Sequence, residues 1–201
     1  MNDINNMELN KQQKTIKRIF DVVLSVLIII FILPLLMVIA IVVKLSSRGP
    51  VFVKQRRIDF NGKILNLYKF RTMRVDAEFQ NVIQAAMKYD RRITRVGSFL
   101  RKTSLDELPL FINVIIGDMS IVGPRAMIPA QYERYNEIYN GIINVKPGIT
   151  GYAQINGWYG NIDSNEHVKY DEYYLKNWSI YLDIKIIWLT IFKGFFVNNS
   201  Y

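Results

Sequence analysis

The feature that most constrains this chain is an apolar run from Val22 to Val43, in which Ser25 is the only polar side chain. A straight helix rises ~1.5 Å per residue, so this run would extend about 33 Å and cross the hydrocarbon core of a bilayer. Pro34 lies near its middle. Proline lacks an N–H and its ring clashes with the carbonyl of Ile30, so a kink is expected. The run is too long for a cleaved signal peptide and ends without a small-residue cleavage site. The sequence therefore predicts a proline-kinked membrane segment.

The charges around this segment bear on its topology. Cations flank the run on both sides: Lys11, Lys14, Lys17 and Arg18 before it, and Lys44, Arg48, Lys54, Arg56 and Arg57 after it. Because cationic flanks prefer the cytoplasm, a re-entrant hairpin that enters and leaves on one face would satisfy both ends. A bend at membrane depth must, however, satisfy its backbone hydrogen bonds without water. The residues alone therefore favour a single spanning helix over the hairpin.

The amino-acid composition excludes several kinds of site and indicates the charge of the binding partner. The 201 residues carry a net charge of +9, no cysteine and a single histidine, His167. A disulfide framework, a thiolate metal site and a multi-histidine metal site are therefore excluded. His167 is interpreted as a surface or capping residue, because no serine or cysteine stands at a spacing that suggests a triad. The positive charge predicts an anionic partner, which is nucleic acid, anionic lipid or a phosphorylated small molecule. No nucleic-acid-binding pattern is found, and the basic run at Arg56 and Arg57 is interpreted as a membrane-facing stripe.

The rest of the chain predicts a mainly helical domain with a minor β element. Two short strands around Asn61-Gly62 predict a hairpin, and helices are expected over 76–88, 128–139 and 166–177. Residues 146–151 predict a turn-rich loop.

The C-terminal stretch 178–197 is strongly apolar but is interrupted by Asp183, Lys185 and Lys193. Two interpretations have equal weight. The stretch is either a helix in the membrane interface, with its aromatic residues at headgroup level, or a core helix of the domain.

Two adjacent acids, Asp106 and Glu107, stand among cations at an expected helix start. In structural terms, Ser104 and Glu107 fit a capping box. In functional terms, a helix N-terminus and nearby arginines lower the pKa of a carboxylate and attract phosphate, so Asp106 is expected to be ionised at pH 7. A carboxylate that attacks phosphorus needs cations around it, supplied by arginine and by Mg²⁺ held between carboxylate and phosphate oxygens. The pattern does not assign the roles of the two acids.

Several short blocks together carry a resemblance. They are 17–21, Pro34, 49–52, 55–56, 68–73, 104–109, 117–120, 123–125, 147–151 and 154–157. In this order, from about residue 14 to 192, they resemble the bacterial sugar transferases, specifically the small monotopic phosphoglycosyl transferases. Each block is weak by itself, whereas the set is highly specific.

This resemblance implies a reaction. A sugar-1-phosphate passes from a UDP-sugar to polyprenyl phosphate, and UMP leaves. By the same resemblance, Asp106 is the nucleophile that forms a covalent phospho-sugar intermediate. Glu107 assists it with Mg²⁺ or the diphosphate, and both acids are candidate Mg²⁺ ligands. Phosphate-binding basic residues fall on Lys69, Arg101 and Arg125, and on Lys146 where many relatives have arginine. Lysine keeps the charge but loses the bidentate fork.

The resemblance also implies an architecture. It predicts a flexible tail over 1–13, a re-entrant membrane helix over 14–48, and a cytoplasmic catalytic domain over 49–201 with an interfacial C-terminal helix. Pro34 would mark the bend, which reverses the preference for a spanning helix. The chain is expected to be the catalytic unit alone, on the cytoplasmic face of the bacterial inner membrane, with the lipid bilayer and no nucleic acid as partner. Two alternatives stay open: the same enzyme with a single-pass anchor, and a membrane-anchored basic module that binds anionic lipid or nucleic acid without turnover.

Overall fold

The computed structural model describes residues 9–59, 61–75, 90, 92–129, 132–133, 145–158 and 165–196. The predicted helix over 76–88 and most of the one over 128–139 lie outside these residues. The described helices are α1 (Lys11–Ser46), α2 (Arg95–Lys102), α3 (Leu110–Ile116), α4 (Tyr152–Ile155), α5 (Asn165–Lys176) and α6 (Ile180–Phe196), with a 3₁₀ turn at Leu105–Glu107. The strands are β1 (Phe52–Ile58), β2 (Ile64–Phe70), β3 (Ser120–Val122) and β4 (Gly148–Thr150). The predicted class, mainly helical with a minor β element, is confirmed over this part of the chain.

The longest element, α1, starts at a capping box in which Asn10 and Gln13 exchange backbone-to-side-chain hydrogen bonds of 2.8 and 2.9 Å. It continues for 36 residues through Pro34. Its most hydrophobic 18-residue window is 11% buried, so most of its apolar surface has no protein partner. By length and composition, this helix can reach across a membrane.

Both ends of α1 are fixed to the same folded unit. Near its start, the Arg18 guanidinium donates to the backbone carbonyls of Val114 and Ile115 at the end of α3. At its other end, Arg71 Nη2 donates to the carbonyl of Ser47 at 2.6 Å and to that of Val43 at 3.2 Å. These arginines donate to carbonyls at helix ends, where the backbone supplies fewer donors than in the helix interior.

The predicted hairpin is confirmed. Strands β1 and β2 pair antiparallel, with Ile58 opposite Ile64 next to the turn. On β2, Leu65 and Leu67 are buried. Because side chains in a strand alternate between faces, Lys69 continues the same face where it leaves the core. The register therefore carries a lysine from the hydrophobic core to the edge of the site described below.

Strands β3 and β4 form the second sheet, which is parallel and pairs Ser120 with Gly148 and Val122 with Thr150. The sequence predicted only a turn-rich loop for 146–151. The difference arises because a β-carbon at Gly148 would collide with the Gly123 backbone. The two glycines thus let segments far apart in sequence approach closely enough to pair.

A hydrophobic core joins β2, α3, β3 and the last two helices. Its most buried members include Leu65, Val114, Met119, Val122, Met127, Tyr174 and Ile186. Helix α6 packs Asp183 and Ile186 into this core, as the core-helix interpretation expected. Its opposite side exposes Tyr181, Ile184, Trp188, Ile191 and Phe192.

Candidate active site

The chain segment that holds the two acids is a 3₁₀ turn, and the predicted capping box is wrong. Ser104 has a positive φ of 55°, and its side chain makes no cap hydrogen bond. The Glu107 N–H donates instead to the Ser104 carbonyl at 3.1 Å. An N-cap residue needs extended backbone, which Ser104 does not have. The next α-helix starts only at Leu110.

Asp106 is buried with 8% of its surface exposed. Within the described residues, no side chain donates a hydrogen bond to its carboxylate. Burial and the neighbouring Glu107 raise the pKa of Asp106 to about 6, against the weaker opposing effect of Lys69 and Arg101. The expected lowering of this pKa is wrong in direction, because no α-helix begins here and desolvation dominates. At pH 7 the carboxylate is still mostly ionised, as expected.

Glu107 lies in a different environment, although it is the next residue. Its Oε1 accepts from Lys69 Nζ at 2.6 Å. Burial raises the pKa of Glu107, but the charges of Lys69, Arg125 and Arg57 outweigh it and hold this pKa below its usual value. The two acids thus have pKa values pushed in opposite directions, an arrangement typical of catalytic acid pairs.

A cavity opens beside Glu107, and three cations line it: Arg57, Lys69 and Arg125. Burial and the adjacent Arg125 lower the pKa of Arg57 to about 10. A fourth cation, Arg101, influences the Asp106 carboxylate and is oriented by a 2.8 Å hydrogen bond from its Nε to Thr72 Oγ1. Such a cluster of cations around a cavity is suited to bind phosphate.

The sequence missed Arg57 as a site residue and assigned it to a membrane-facing stripe. Arg57 pairs with the buried Leu65 across the hairpin, and so belongs to the face that also carries Lys69. The register of the hairpin, applied to the sequence, would have predicted that Arg57 and Lys69 share a face.

The structure brings Lys69, Arg101 and Arg125 to the two acids, but not Lys146. The Lys146 ammonium lies instead beside Arg18 and Gly117. Burial and Arg18 lower the pKa of Lys146. Pro34 lies inside α1, outside the cavity lining.

Asp106 and Glu107 offer carboxylate oxygens, which are ligands that Mg²⁺ prefers. Among the described residues, no group of three or more metal-ligating side chains is found. Mg²⁺ commonly uses one or two carboxylates and completes its shell with phosphate oxygens and water, so a full protein cage is not required. Asp106, which accepts from no side chain in the described part of the chain, fits this role, whereas Glu107 is already paired with Lys69.

The prediction that His167 lies at the surface is wrong. His167 is buried, and its Nδ1 lies 3.2 Å from Asp171 Oδ2 one turn along α5. The spacing of four residues on an amphipathic helix brings both side chains to the buried face.

Another cavity is lined by Tyr152, Lys169, Tyr170 and Tyr173, with the Tyr152 and Tyr173 rings stacked at 4.8 Å between centroids.

Comparison with known proteins shows which family this chain belongs to. Residues 12–197 match the sequence profile described as bacterial sugar transferase. The UDP-glucose:undecaprenyl-phosphate glucose-1-phosphate transferase of Klebsiella pneumoniae is 48% identical over 200 residues, which cover 96% of this chain and 43% of the relative. The galactosyl transferase CpsE of Streptococcus agalactiae is 47% identical over 153 residues, covering 71% of this chain and 34% of the relative.

A third relative is closer in length. The exopolysaccharide production protein PSS of Rhizobium leguminosarum is 38% identical over 186 residues, covering 88% of this chain and 93% of the relative. The chain thus spans less than half the length of the first two relatives and nearly the full length of the third. By the profile match and these identities, the chain belongs to the bacterial sugar transferase family.

Proposed function

We propose that this protein transfers a sugar-1-phosphate from a UDP-sugar to polyprenyl phosphate and releases UMP, which would initiate a lipid-linked glycan. The observation that carries the proposal is a buried acid, Asp106, to which no side chain among the described residues donates, next to a cavity lined by Arg57, Lys69 and Arg125. Relatives named for UDP-glucose and undecaprenyl phosphate support the donor and acceptor classes.

In the first step, an Asp106 carboxylate oxygen attacks the β-phosphorus of the UDP-sugar. A phosphorus–oxygen bond forms, and the bond from that phosphorus to the bridging oxygen of the diphosphate breaks. UMP leaves with the bridging oxygen, and the sugar-1-phosphate stays on Asp106 as an acyl phosphate. A carboxylate with a pKa of about 6 is mostly ionised at pH 7 and so is ready to attack.

In the second step, a phosphate oxygen of the polyprenyl phosphate attacks the same phosphorus. The bond to Asp106 breaks, its carboxylate is restored, and a polyprenyl-diphosphate sugar forms. Each displacement inverts the phosphorus, so the two together predict net retention.

Both steps bring an anion to a phosphate, and the cations offset this repulsion. Lys69 holds Glu107, while Arg57 and Arg125 face the cavity where the diphosphate would lie. Mg²⁺, if bound through Asp106 and phosphate oxygens, would neutralise developing charge on the leaving UMP. Glu107, held ionised, orients Lys69 toward the phosphates.

The membrane part of the proposal is a re-entrant hairpin bent at Pro34, with the domain on the cytoplasmic face of the inner membrane. Support comes from the attachment of both ends of α1 to one domain, through Arg18 and Arg71. A single span would place those ends on opposite sides of the bilayer. The apolar side of α6, together with the exposed Phe99 of α2 and Ile116 of α3, would lie in the interface.

The decisive experiment is UMP release by the purified protein with polyprenyl phosphate, Mg²⁺ and a panel of UDP-sugars. Asp106→Asn is expected to lower the rate by on the order of 10³-fold or more while the protein remains folded and membrane-bound. Without acceptor, the wild type should release about one UMP per enzyme and retain the sugar phosphate covalently. Glu133→Gln is the matched control, since this acid is exposed and lies outside the cavity lining.

Two outcomes would contradict the proposal. Substantial turnover by Asp106→Asn would exclude the nucleophile. No UMP release by the wild type from any UDP-sugar would favour the alternative of a basic binding module without turnover.

The topology is tested separately with single cysteines, because the chain has none of its own. Gln12→Cys and Arg48→Cys lie at exposed positions on either side of the apolar run. The hairpin predicts that an impermeant thiol reagent labels both from the cytoplasmic side alone. Labelling of the two positions from opposite sides would establish the single-pass anchor instead.

A further inference from the structure

Two cations converge at the end of α3, where the catalytic proposal has no use for them. Gly117 ends this helix in the left-handed region with a φ of 95°. A β-carbon placed on it would lie 3.3 Å from Lys146 Nζ and 3.4 Å from Arg18 Nη2. Both positive groups therefore face one point on the surface, and glycine leaves that point open.

Neither cation has a carboxylate partner within the part of the chain that the structure describes. Arg18 donates to the carbonyls of Val114 and Ile115. The nearby Asp118 is paired with Lys63 at 3.2 Å. Two like charges held together without a counter-ion repel each other, so an anion bound between them would offset that cost.

Asp21 is the other acid near this point, and it too is occupied. It accepts hydrogen bonds from Ser120 Oγ at 2.7 Å and from the Ile121 N–H at 3.2 Å. It also lies 3.6 Å from Lys17 Nζ. Asp21 and Asp118 favour the charged form of Lys146, but burial and Arg18 outweigh them and keep the pKa of Lys146 below its usual value. An anion bound at the pair would offset this remaining cost.

The surroundings indicate which anion fits. Ile16 and Ile19, on either side of Arg18 in sequence, are exposed, and so is Ile116 at the end of α3. Arg18 lies on α1 four residues before the apolar run that begins at Val22. In the proposed membrane position the pair would therefore lie at headgroup level, where the phosphates of lipids are found.

We propose that Arg18 and Lys146, with Lys63 at the rim, bind the phosphate of a membrane lipid at a site separate from the catalytic cavity. The cavity beside Glu107 is lined by a different set of cations, Arg57, Lys69 and Arg125. The lipid is an anionic phospholipid or the polyprenyl phosphate acceptor waiting to react. This inference rests on the membrane association proposed above, but not on the reaction.

The test is native mass spectrometry of the full chain in neutral detergent, titrated with phosphatidylglycerol, undecaprenyl phosphate or phosphatidylcholine. Lys146→Gln is the central variant, because its ammonium makes no hydrogen bond or ion pair in the described part of the chain. It is expected to weaken binding of an anionic lipid about fivefold, and Lys146→Glu more strongly. Arg18→Lys, which keeps the charge but loses the fork, should weaken it less.

Lys185→Gln is the matched control, since it removes the same charge from an exposed position on α6. Weaker binding of both anionic lipids in the Lys146 variants supports a general lipid-phosphate site, and weaker binding of undecaprenyl phosphate alone supports an acceptor site. Wild-type affinity for both lipids in both Lys146 variants would overturn the inference, as would an equal loss in Lys185→Gln. Asp106→Asn should keep the lipid, so failure of the reaction and failure of this site are separate results.

Discussion

Two buried charge clusters in this molecule can be compared, one at Asp183 and one at Asp106. Asp183 accepts from Lys17 Nζ at 2.8 Å, from the Tyr174 hydroxyl at 2.8 Å and from Trp178 Nε1 at 3.3 Å. Asp106 is similarly buried, yet no described side chain donates to it, and its pKa is raised to about 6.

The difference separates a cluster that holds the fold from one arranged for a ligand. Around Asp183, each charge has a partner, and the network ties α1 to α5 and α6. Around Asp106 and Glu107, Lys69 forms an ion pair with Glu107. Arg57 and Arg125 line the adjacent cavity. Two adjacent acids whose pKa values are shifted in opposite directions, next to a cation-lined cavity, make this cluster the candidate functional site.

The largest expected contrast is in stability. Asp183→Ala leaves Lys17 buried without its closest counter-charge, so it should destabilise the protein by about 3–5 kcal/mol. Asp106→Asn removes the repulsion of Glu107 and should be at least as stable as the wild type at pH 7. Thermal unfolding in the same detergent measures both. Equal losses in the two variants would mean that the clusters do not differ in kind.

The second contrast is in pH dependence. An acid whose folded pKa is raised stabilises the fold fully below its unfolded pKa of 3.8, and this contribution disappears as pH rises through about 6. The shift corresponds to about 3 kcal/mol. Because part of this contribution is already lost at pH 4, the wild type should lose about 2 kcal/mol more stability between pH 4 and 7 than Asp106→Asn. A difference near zero would show that Asp106 titrates normally.

The rate of UMP release provides the matching kinetic readout. Because attack needs the carboxylate, this rate should fall about tenfold per pH unit below pH 6.

The smallest expected effect concerns Lys69, which lowers the pKa of both acids. Lys69→Gln should move the acidic limb of the rate profile upward by about one pH unit and also raise the KM for the UDP-sugar. Lys54→Gln is the control on the same hairpin, since Lys54 lies 5.4 Å from the Tyr68 ring centroid and not in the cavity lining. A lower overall rate with the acidic limb at an unchanged pH would assign Lys69 to phosphate binding alone.

Much of the fold could be predicted because it follows local rules. The apolar run gave α1, and the turn residues at Asn61-Gly62 gave the hairpin. The period of 166–177 gave α5, found at Asn165–Lys176. The sequence did not correctly predict the backbone conformation or burial of some single residues. Ser104 looked like a cap, but its backbone is left-handed. His167 looked exposed, but it lies on the buried side of its helix.

The sequence by itself determined the chemical groups: two adjacent acids, several cations and one long apolar segment, in an order that identifies the family. Only the tertiary structure decided how those groups are divided. It joined Arg57 to Lys69 through strand register and sent Lys146 to Arg18. It also gave Asp106 and Glu107 opposite pKa shifts. The physical reason is that burial and charge–charge distances depend on residues far apart in sequence, which local patterns do not encode.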